Sequence, residues 1–359
     1  MAPMEAARES NRNHTNAEWI AGQICSGFTP PSCAVRHSEQ RGSRSASLLA
    51  NCWLAPLILV GVASAACSSL PAASPTFVPG STTRATAAAP AVTVAPTTTT
   101  TTEQPGWTPI SLLHGAIAVD GRAVSEPDGH VVTVYRFRAG QTRFALHVGT
   151  SDPPTGRSVI GPDSGATIGP GEAPVLLAAF NGGFKTNAGA GGFELDSQLL
   201  LPLQTGLASL VVDADGSAHL GVWGQGLPAP GEQVASVRQN LPPLVVKGQP
   251  SPVIGNIATW GATLGGGAVV ARSSLGEDAS GNLIYAASIH AVPSDLANAQ
   301  ISVGAVNGME LDINPQWVQL DVAASPGAPL VSGIPAQSRP ANQYQVGWTR
   351  DFVTVLAGK

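Results

Sequence analysis

The sequence predicts a strongly β-sheet core with a few short helices, preceded by a disordered N-terminal region. Three observations carry this. The 41 glycines and 30 prolines among 359 residues favour turns and coil over helical bundles. Apolar runs are short and end at turn signals, as where Val175–Phe180 meets Asn181-Gly182-Gly183. Helix signals are few: helical spacing over Glu232–Leu241, and an N-cap at Pro293-Ser294-Asp295 with a stop at Gly304.

A formal net charge of -5, with 11% charged residues, excludes a strongly basic nucleic-acid binder. Cys25, Cys33, Cys52 and Cys67 all precede residue 68, so the globular part has no disulfide framework and no cysteine metal site. Its stability must come from a hydrophobic core, for which the roughly 250 residues after 105 suffice.

Residues 1–34 are polar and lack a sustained apolar period. Arg36, Arg41 and Arg44 then precede the apolar run Leu48–Ala63, which Asn51 and Pro56 interrupt. Such a succession makes a secretory signal, and the run is too short for a comfortable membrane span. Its depth in the chain suggests a start near Val35, with 1–34 a non-structural extension and 35–67 the signal segment. Ser64-Ala65-Ala66-Cys67 resembles a lipobox, making Cys67 the expected lipidation site and a membrane the expected partner. The alternative is cleavage after Ala63-Ser64-Ala65 and simple secretion. Residues 68–105, rich in Thr, Ala and Pro, lack the apolar side chains that offset ordering entropy. They are expected to form a disordered tether open to O-glycosylation.

The globular domain is expected over 106–359. Val131–Phe137 and Thr142–Val148 flank Ala139-Gly140 and should pair as a hairpin, with His147 a satisfied sheet residue. Val175–Phe180 reads as a strand buried on both faces. It brings Asn181, Gly182, Gly183 and Lys185 to its tip, where paired glycines allow close approach of a backbone or a ligand. Both a polar binding site and a ligand-free glycine-rich hairpin remain open there. Ala208–Val212 and Ala218–Trp223 form a hairpin around Asp213-Ala214-Asp215-Gly216. Glu232–Leu241 carries Val234, Val237 and Leu241 at helical spacing and is expected to be a short amphipathic helix. Leu244–Val246 is a short strand. The glycines of Trp260–Gly267 make a loop but no P-loop, because no Gly-Lys-Ser/Thr follows.

Arg272 lies in the apolar-to-polar run Ala268–Ser274 and should be paired or bound. Leu283–Ile289 reads as a strand ending at His290, and Pro293-Ser294-Asp295 opens a helix that stops at Gly304. From Met309 to Pro315 the residues alternate. Met309, Leu311 and Ile313 should face one way, and Glu310, Asp312 and Asn314 the other. Strand, helix and strand over 283–314 make a candidate βαβ unit with parallel strands, placing His290 and the polar row at one rim. The alternative is a polar strand side that faces solvent.

The strand into Asn181-Gly182-Gly183-Phe184, Arg272-Ser273 before Gly276, the strand Leu283–Ile289 and Glu310-Leu311-Asp312 resemble the phosphodiester glycosidase family. That family includes the uncovering enzyme of the mannose 6-phosphate pathway. The resemblance spans roughly 175–315, with weaker similarity to the chain end. Where members commonly carry Leu-Asp-Gly-Gly-Gly-Ser, this chain has Leu311-Asp312-Ile313-Asn314-Pro315, a variant that with Trp317 looks like an actinobacterial branch. The resemblance implies a mixed α+β domain and hydrolysis of sugar 1-phosphodiesters, here in extracytoplasmic envelope glycans. In that reaction Asp312 is the expected base or nucleophile, with Glu310 as the alternative. Arg272 is assigned to the phosphate, because its planar fork suits two oxygens. The amides of Gly182 and Gly183 would add donors, Asn181 would fix a sugar hydroxyl, and Lys185, His290 and Asn314 complete the substrate-binding set. No cofactor and no nucleic acid are expected, and the protein should be a monomer.

Two other readings compete. A non-catalytic carbohydrate-binding lipoprotein needs aromatic platforms, for which Trp223, Trp260, Trp317 and Trp348 are available. A metal-stabilised structural domain would use Glu310, Asp312 and Asn314 as oxygen ligands for Ca²⁺. The enzyme reading requires Asn181, Arg272 and Asp312 to meet in one cleft.

Overall fold

The computed structural model describes residues 106–153 and 166–359. The expected 1–34 extension, signal, Cys67 lipobox and tether lie outside the described residues. No helix among the described residues is long and apolar enough to cross a membrane.

The domain is mixed α+β with strands predominant, arranged in three sheets. The largest has eight strands in the order Thr108–Leu113, Ala116–Ser125, Val131–Phe137, Leu283–Ala291, Val270–Asp278, Ala305–Ile313, Val245–Val246 and Gln249–Pro250. A second sheet runs Gln198–Leu201, Phe193–Leu195, Val234–Asn240, Ala208–Asp213 and Ala218–Val222. A third runs Val331–Ser332, Leu320–Val322, Leu176–Asn181, Phe352–Ala357 and Thr142–His147. Phe137, Phe193 and Phe180, one from each sheet, lie in one buried cluster. Phe137 and Phe180 stack with ring centres 5.8 Å apart. Burying a side chain of this size stabilises by about 1.5–3 kcal/mol, so this cluster holds the sheets together.

The strand is Leu176–Asn181, and of the apolar run Val175–Phe180 all but the half-buried Val175 are buried, as a strand covered on both faces requires. The Ala208–Asp213 and Ala218–Val222 hairpin also forms as expected. Two expectations are corrected. Val131–Phe137 and Thr142–His147 do not pair as a hairpin. The first joins Ala116–Ser125 and Leu283–Ala291, whereas the second pairs with Phe352–Ala357 in another sheet. The chain crosses between layers at the turn where Thr142 donates to Arg138 O. The segment over 232–241 is a strand, Val234–Asn240, and not a helix. Its valines suit a helix stripe, but pairing to Ala208–Asp213 and Phe193–Leu195 overrides that local preference.

The helix Pro293–Ser302 forms between Leu283–Ala291 and Ala305–Ile313. Asp295 accepts from the Val292 N–H at 2.8 Å, and Gly304 leaves the helix at a φ of +100°. The two flanking strands are parallel to each other, but Val270–Asp278 lies between them and is antiparallel to both. The unit is therefore a split βαβ. Val270–Asp278 is the central strand behind the site.

Candidate functional site

The tip after Leu176–Asn181 is built for close approach, but what approaches is protein. A Cβ on Gly182 would lie 1.9 Å from Asp351 Oδ2, and one on Gly183 would lie 2.9 Å from Arg238 Nη2. The Gly182 N–H donates to the Asp351 carbonyl and the Gly183 N–H to Asp351 Oδ2. Neither amide is available to a phosphate. Asn181 is 2% exposed. Its amide donates to Ser273 Oγ and its carbonyl accepts from Tyr285 OH and the Gln319 N–H. It locks sheets together and does not present itself to a sugar.

Arg272 is likewise enclosed, at 0% exposure. It donates to Glu310 Oε1 at 2.6 Å and to the carbonyls of Trp260 and Ala291. That answers the expectation that a buried arginine is paired: its partner is Glu310. Burial pushes the Glu310 carboxyl up, to about 8, against the pull of Arg272. Both residues are sealed in the sheet interior, away from any phosphate.

The polar row is buried, which excludes a solvent-facing strand side. Its alternation is broken by a register shift opposite Arg272–Ser274. Met309 and Leu311 therefore join one core cluster and Ile313 another. The Asp312 N–H donates to Gly182 O, and Ser273 Oγ donates to the Asp312 carbonyl, so the backbone brings Asp312 to the Asn181-Gly182 tip. Its carboxylate points to Arg350, with Nη2 2.8 Å from Oδ2. Burial raises the Asp312 carboxyl to about 7, although Arg350 and the Ile313 N–H oppose the rise. Asn314 stands at a φ of +76° and accepts from the Leu264 N–H at 2.8 Å. Glu310, Asp312 and Asn314 thus face three different partners and do not converge as calcium ligands. Among the described residues, the His/carboxylate groupings compact enough for an ion lie elsewhere, at Asp128, His130 and Asp295 and at Asp213, His219 and Glu232.

Arg350 opens the route to the surface. It lines a cleft of about 450 Å³ with Ser151, Asp152, Lys185, Thr186, Trp317 and Thr349. Its Nη2 also donates to Gly183 O, and its Nε lies 3.3 Å from Asp152 Oδ2. Asp152 Oδ1 accepts from Thr186 Oγ1, which fixes the segment that carries Lys185. Arg350 Nη1 makes no hydrogen bond among the described residues. Lys185 Nζ and the Arg350 guanidinium stand 5.8 and 5.0 Å from the Trp317 ring centre. Of the expected site residues, the structure brings Lys185 to the cleft and Asp312 one hydrogen bond behind it.

His290 is exposed and lines a separate cavity of about 250 Å³ with His130, Ser288 and Ile334. Trp260 and Trp348 are buried, so neither is a platform. Trp223 packs on a small cluster around Val211 and Leu227. Trp317 alone of the four expected tryptophans lines this cleft. Arg350, Asp351 and Asp152 belong to no motif that the sequence displays. The available signal was a charged pair, Arg350-Asp351, set between Trp348 and the apolar run Phe352–Leu356.

No protein-family model and no curated protein matches the sequence. Among solved structures, the catalytic domain of zebrafish N-acetylglucosamine-1-phosphodiester alpha-N-acetylglucosaminidase, auto-inhibited by its pro-peptide, is similar in shape. The match has 13% identity and a TM-score of 0.43, over 70% of this chain and 87% of that one. A hypothetical protein from Synechocystis matches at 13% identity and a TM-score of 0.42, over 68% of this chain and 63% of that one. These are distant likenesses of shape, and the chemistry open to the cleft rests on its own residues.

Proposed function

We propose that the protein hydrolyses sugar 1-phosphodiester linkages in extracytoplasmic glycans, without a cofactor, as a monomer anchored through Cys67. The supporting observation is the convergence on Trp317. Two cations stand over its ring, and one of them, Arg350, holds a carboxylate that titrates near neutrality. The single charge of a phosphodiester suits Lys185 Nζ and Arg350 Nη1, and the C–H face of a sugar suits the indole. Arg350 takes the phosphate role first expected of Arg272.

The leaving group is a phosphate monoester, which needs little help from a general acid. In the proposed step, water attacks the anomeric carbon and Asp312 takes a proton from that water. The bond from the carbon to the phosphate oxygen breaks, and its electrons stay on the phosphate. A phosphate that draws Arg350 toward the cleft weakens its hold on Asp312, which raises the proton affinity of the carboxylate as the proton arrives. The test is release of free sugar from a panel of sugar 1-phosphodiesters.

One observation favours a second reading, a non-catalytic carbohydrate-binding protein. Asp312 is 4% exposed, and each of its oxygens already has a partner. Binding of the panel without any turnover would select that reading.

A further inference from the structure

One cation beside the cleft has no role in that reaction. Arg339 is half-buried, with its guanidinium 4.9 Å from the Trp348 ring centre. Its Nε donates weakly, at 3.4 Å, to the carbonyl of Gln316, the residue before Trp317. Among the described residues no carboxylate pairs with it, and its two Nη groups make no hydrogen bond. Stacking on an indole satisfies the face of a guanidinium and leaves its N–H edges open. Trp348 in turn lies 5.9 Å from Trp317, so the two indoles form one wall, with Trp317 in the cleft and Arg339 over Trp348 outside the cleft's lining.

The charges along this wall are unevenly offset. Arg350 has Asp152 and Asp312 beside it. Lys185 over Trp317 and Arg339 over Trp348 have no acidic partner among the described residues. A single phosphodiester needs the cations at Trp317 and leaves Arg339 unused.

We propose that Arg339 forms a second anion subsite, so that the ligand is a chain with at least two anionic groups: a glycan or polyol polymer joined by phosphodiesters. The proposal rests on the cleft at Trp317 being the binding site and extends it along the wall. Once the first anion is seated, the second contact becomes intramolecular. Affinity should then rise with chain length without any new kind of contact.

The competing role for Arg339 is to cover Trp348 with its apolar stem. Arg339→Met keeps that cover and removes the charge. Calorimetric titration with glycerol phosphate and with linear oligo(glycerol phosphate) of two to six units separates the roles. These probes have no anomeric carbon, so the proposed reaction cannot consume them. The wild type should bind the longer chains at least about tenfold more tightly than the single unit. R339M should lose that gain and keep single-unit affinity within about twofold and its melting temperature unchanged, while Lys185→Met weakens binding at every length. A gain that survives in R339M, a wild type indifferent to length, or no binding at any length overturns the proposal. Loss of the gain in R339M, with no sugar phosphodiester hydrolysed by the wild type, keeps the polyanion subsite and removes the hydrolase. Hydrolysis of single phosphodiesters with no effect of length does the reverse.

Discussion

Arg238 and Asp351 meet at 2.7 Å with both side chains sealed from solvent. Arg238 also donates to the carbonyls of Phe184 and Gln239, so one buried pair ties the Val234–Asn240 strand, the Gly182-Gly183 tip and the last strand together. Asp351→Ala would leave the guanidinium charged, buried and without its counter-ion. It should cost about 3–5 kcal/mol. Urea denaturation measures it, and a loss below about 1 kcal/mol would mean that water reaches Arg238.

The same pair makes a prediction for glycine. A Cβ on Gly182 would lie 1.9 Å from Asp351 Oδ2 and 2.8 Å from its carbonyl oxygen, and the backbone there cannot give way cheaply. Gly182→Ala should destabilise by about 3 kcal/mol or more. Gly255, with open space around its Cβ position, is the control. Gly255→Ala should stay within about 0.5 kcal/mol. Equal effects of the two substitutions would contradict the packing described at the tip.

How much of this was legible in the sequence depended on whether the information was local. The apolar run Val175–Phe180 announces a doubly buried strand, and Leu176–Phe180 are buried within one. Pro293, Asp295 and Gly304 announce a helix with both ends marked, and it forms. Val234–Asn240 reads as a helix in isolation because its strand character comes from neighbours on either side, which the valine spacing does not report. Arg272 was rightly expected to be paired, but residue type cannot tell a protein carboxylate from a phosphate, and its partner Glu310 is remote in sequence. Lys185 and Asp312 were singled out, yet the residue that joins them to one cleft, Arg350, lies in a segment with no motif of its own.

Asn314 occupies a backbone conformation for which glycine is the usual choice. It holds a φ of +76°, in the left-handed region that glycine enters freely and asparagine tolerates. Asn314→Gly should therefore be nearly neutral apart from the lost bond to the Leu264 N–H, about 1 kcal/mol. Asn314→Val should cost more, about 2–3 kcal/mol, because a β-branched residue adds backbone strain to the same loss. Thermal melts of the two variants check the order, and a valine variant as stable as the glycine variant would contradict it.

Asp321 sets a direction for stability against pH. It is fully buried and accepts from Gln319 and Gln337, and burial raises its carboxyl to about 7. The unfolded chain releases this proton near pH 4, at about 3.9. Between these values the folded state binds more protons than the unfolded state, so stability falls as pH rises. The contribution is complete below about pH 4 and is lost by the time pH passes about 7. Asp312 and Glu310 act in the same direction. The melting temperature should fall from about pH 5 to pH 8, and Asp321→Asn should make the fall shallower. A rise over that range would show that Asp321 is ionised and stabilising in the fold.

The decisive prediction concerns Asp312 in the proposed hydrolysis. To take a proton from water its carboxylate must be ionised, and burial places its titration at about 7. The kcat/KM of the wild type should therefore rise about tenfold per pH unit below this value and level off above it. Asp312→Asn keeps the shape, retains an acceptor for the Ile313 N–H and removes the charge. It should slow turnover by roughly a thousandfold while binding stays near intact, as expected of a group that acts in the transition state. Arg350→Lys keeps a charge in the cleft but withdraws the Nη2 that reaches both Gly183 O and Asp312 Oδ2. It should weaken kcat/KM by about tenfold to a hundredfold and displace the pH midpoint upward, because Asp312 loses the contact that favours its ionised form. An Asp312→Asn variant that turns over as fast as the wild type would remove the carboxylate from the mechanism. An Arg350→Lys variant whose midpoint does not move would show that the titration belongs to another group.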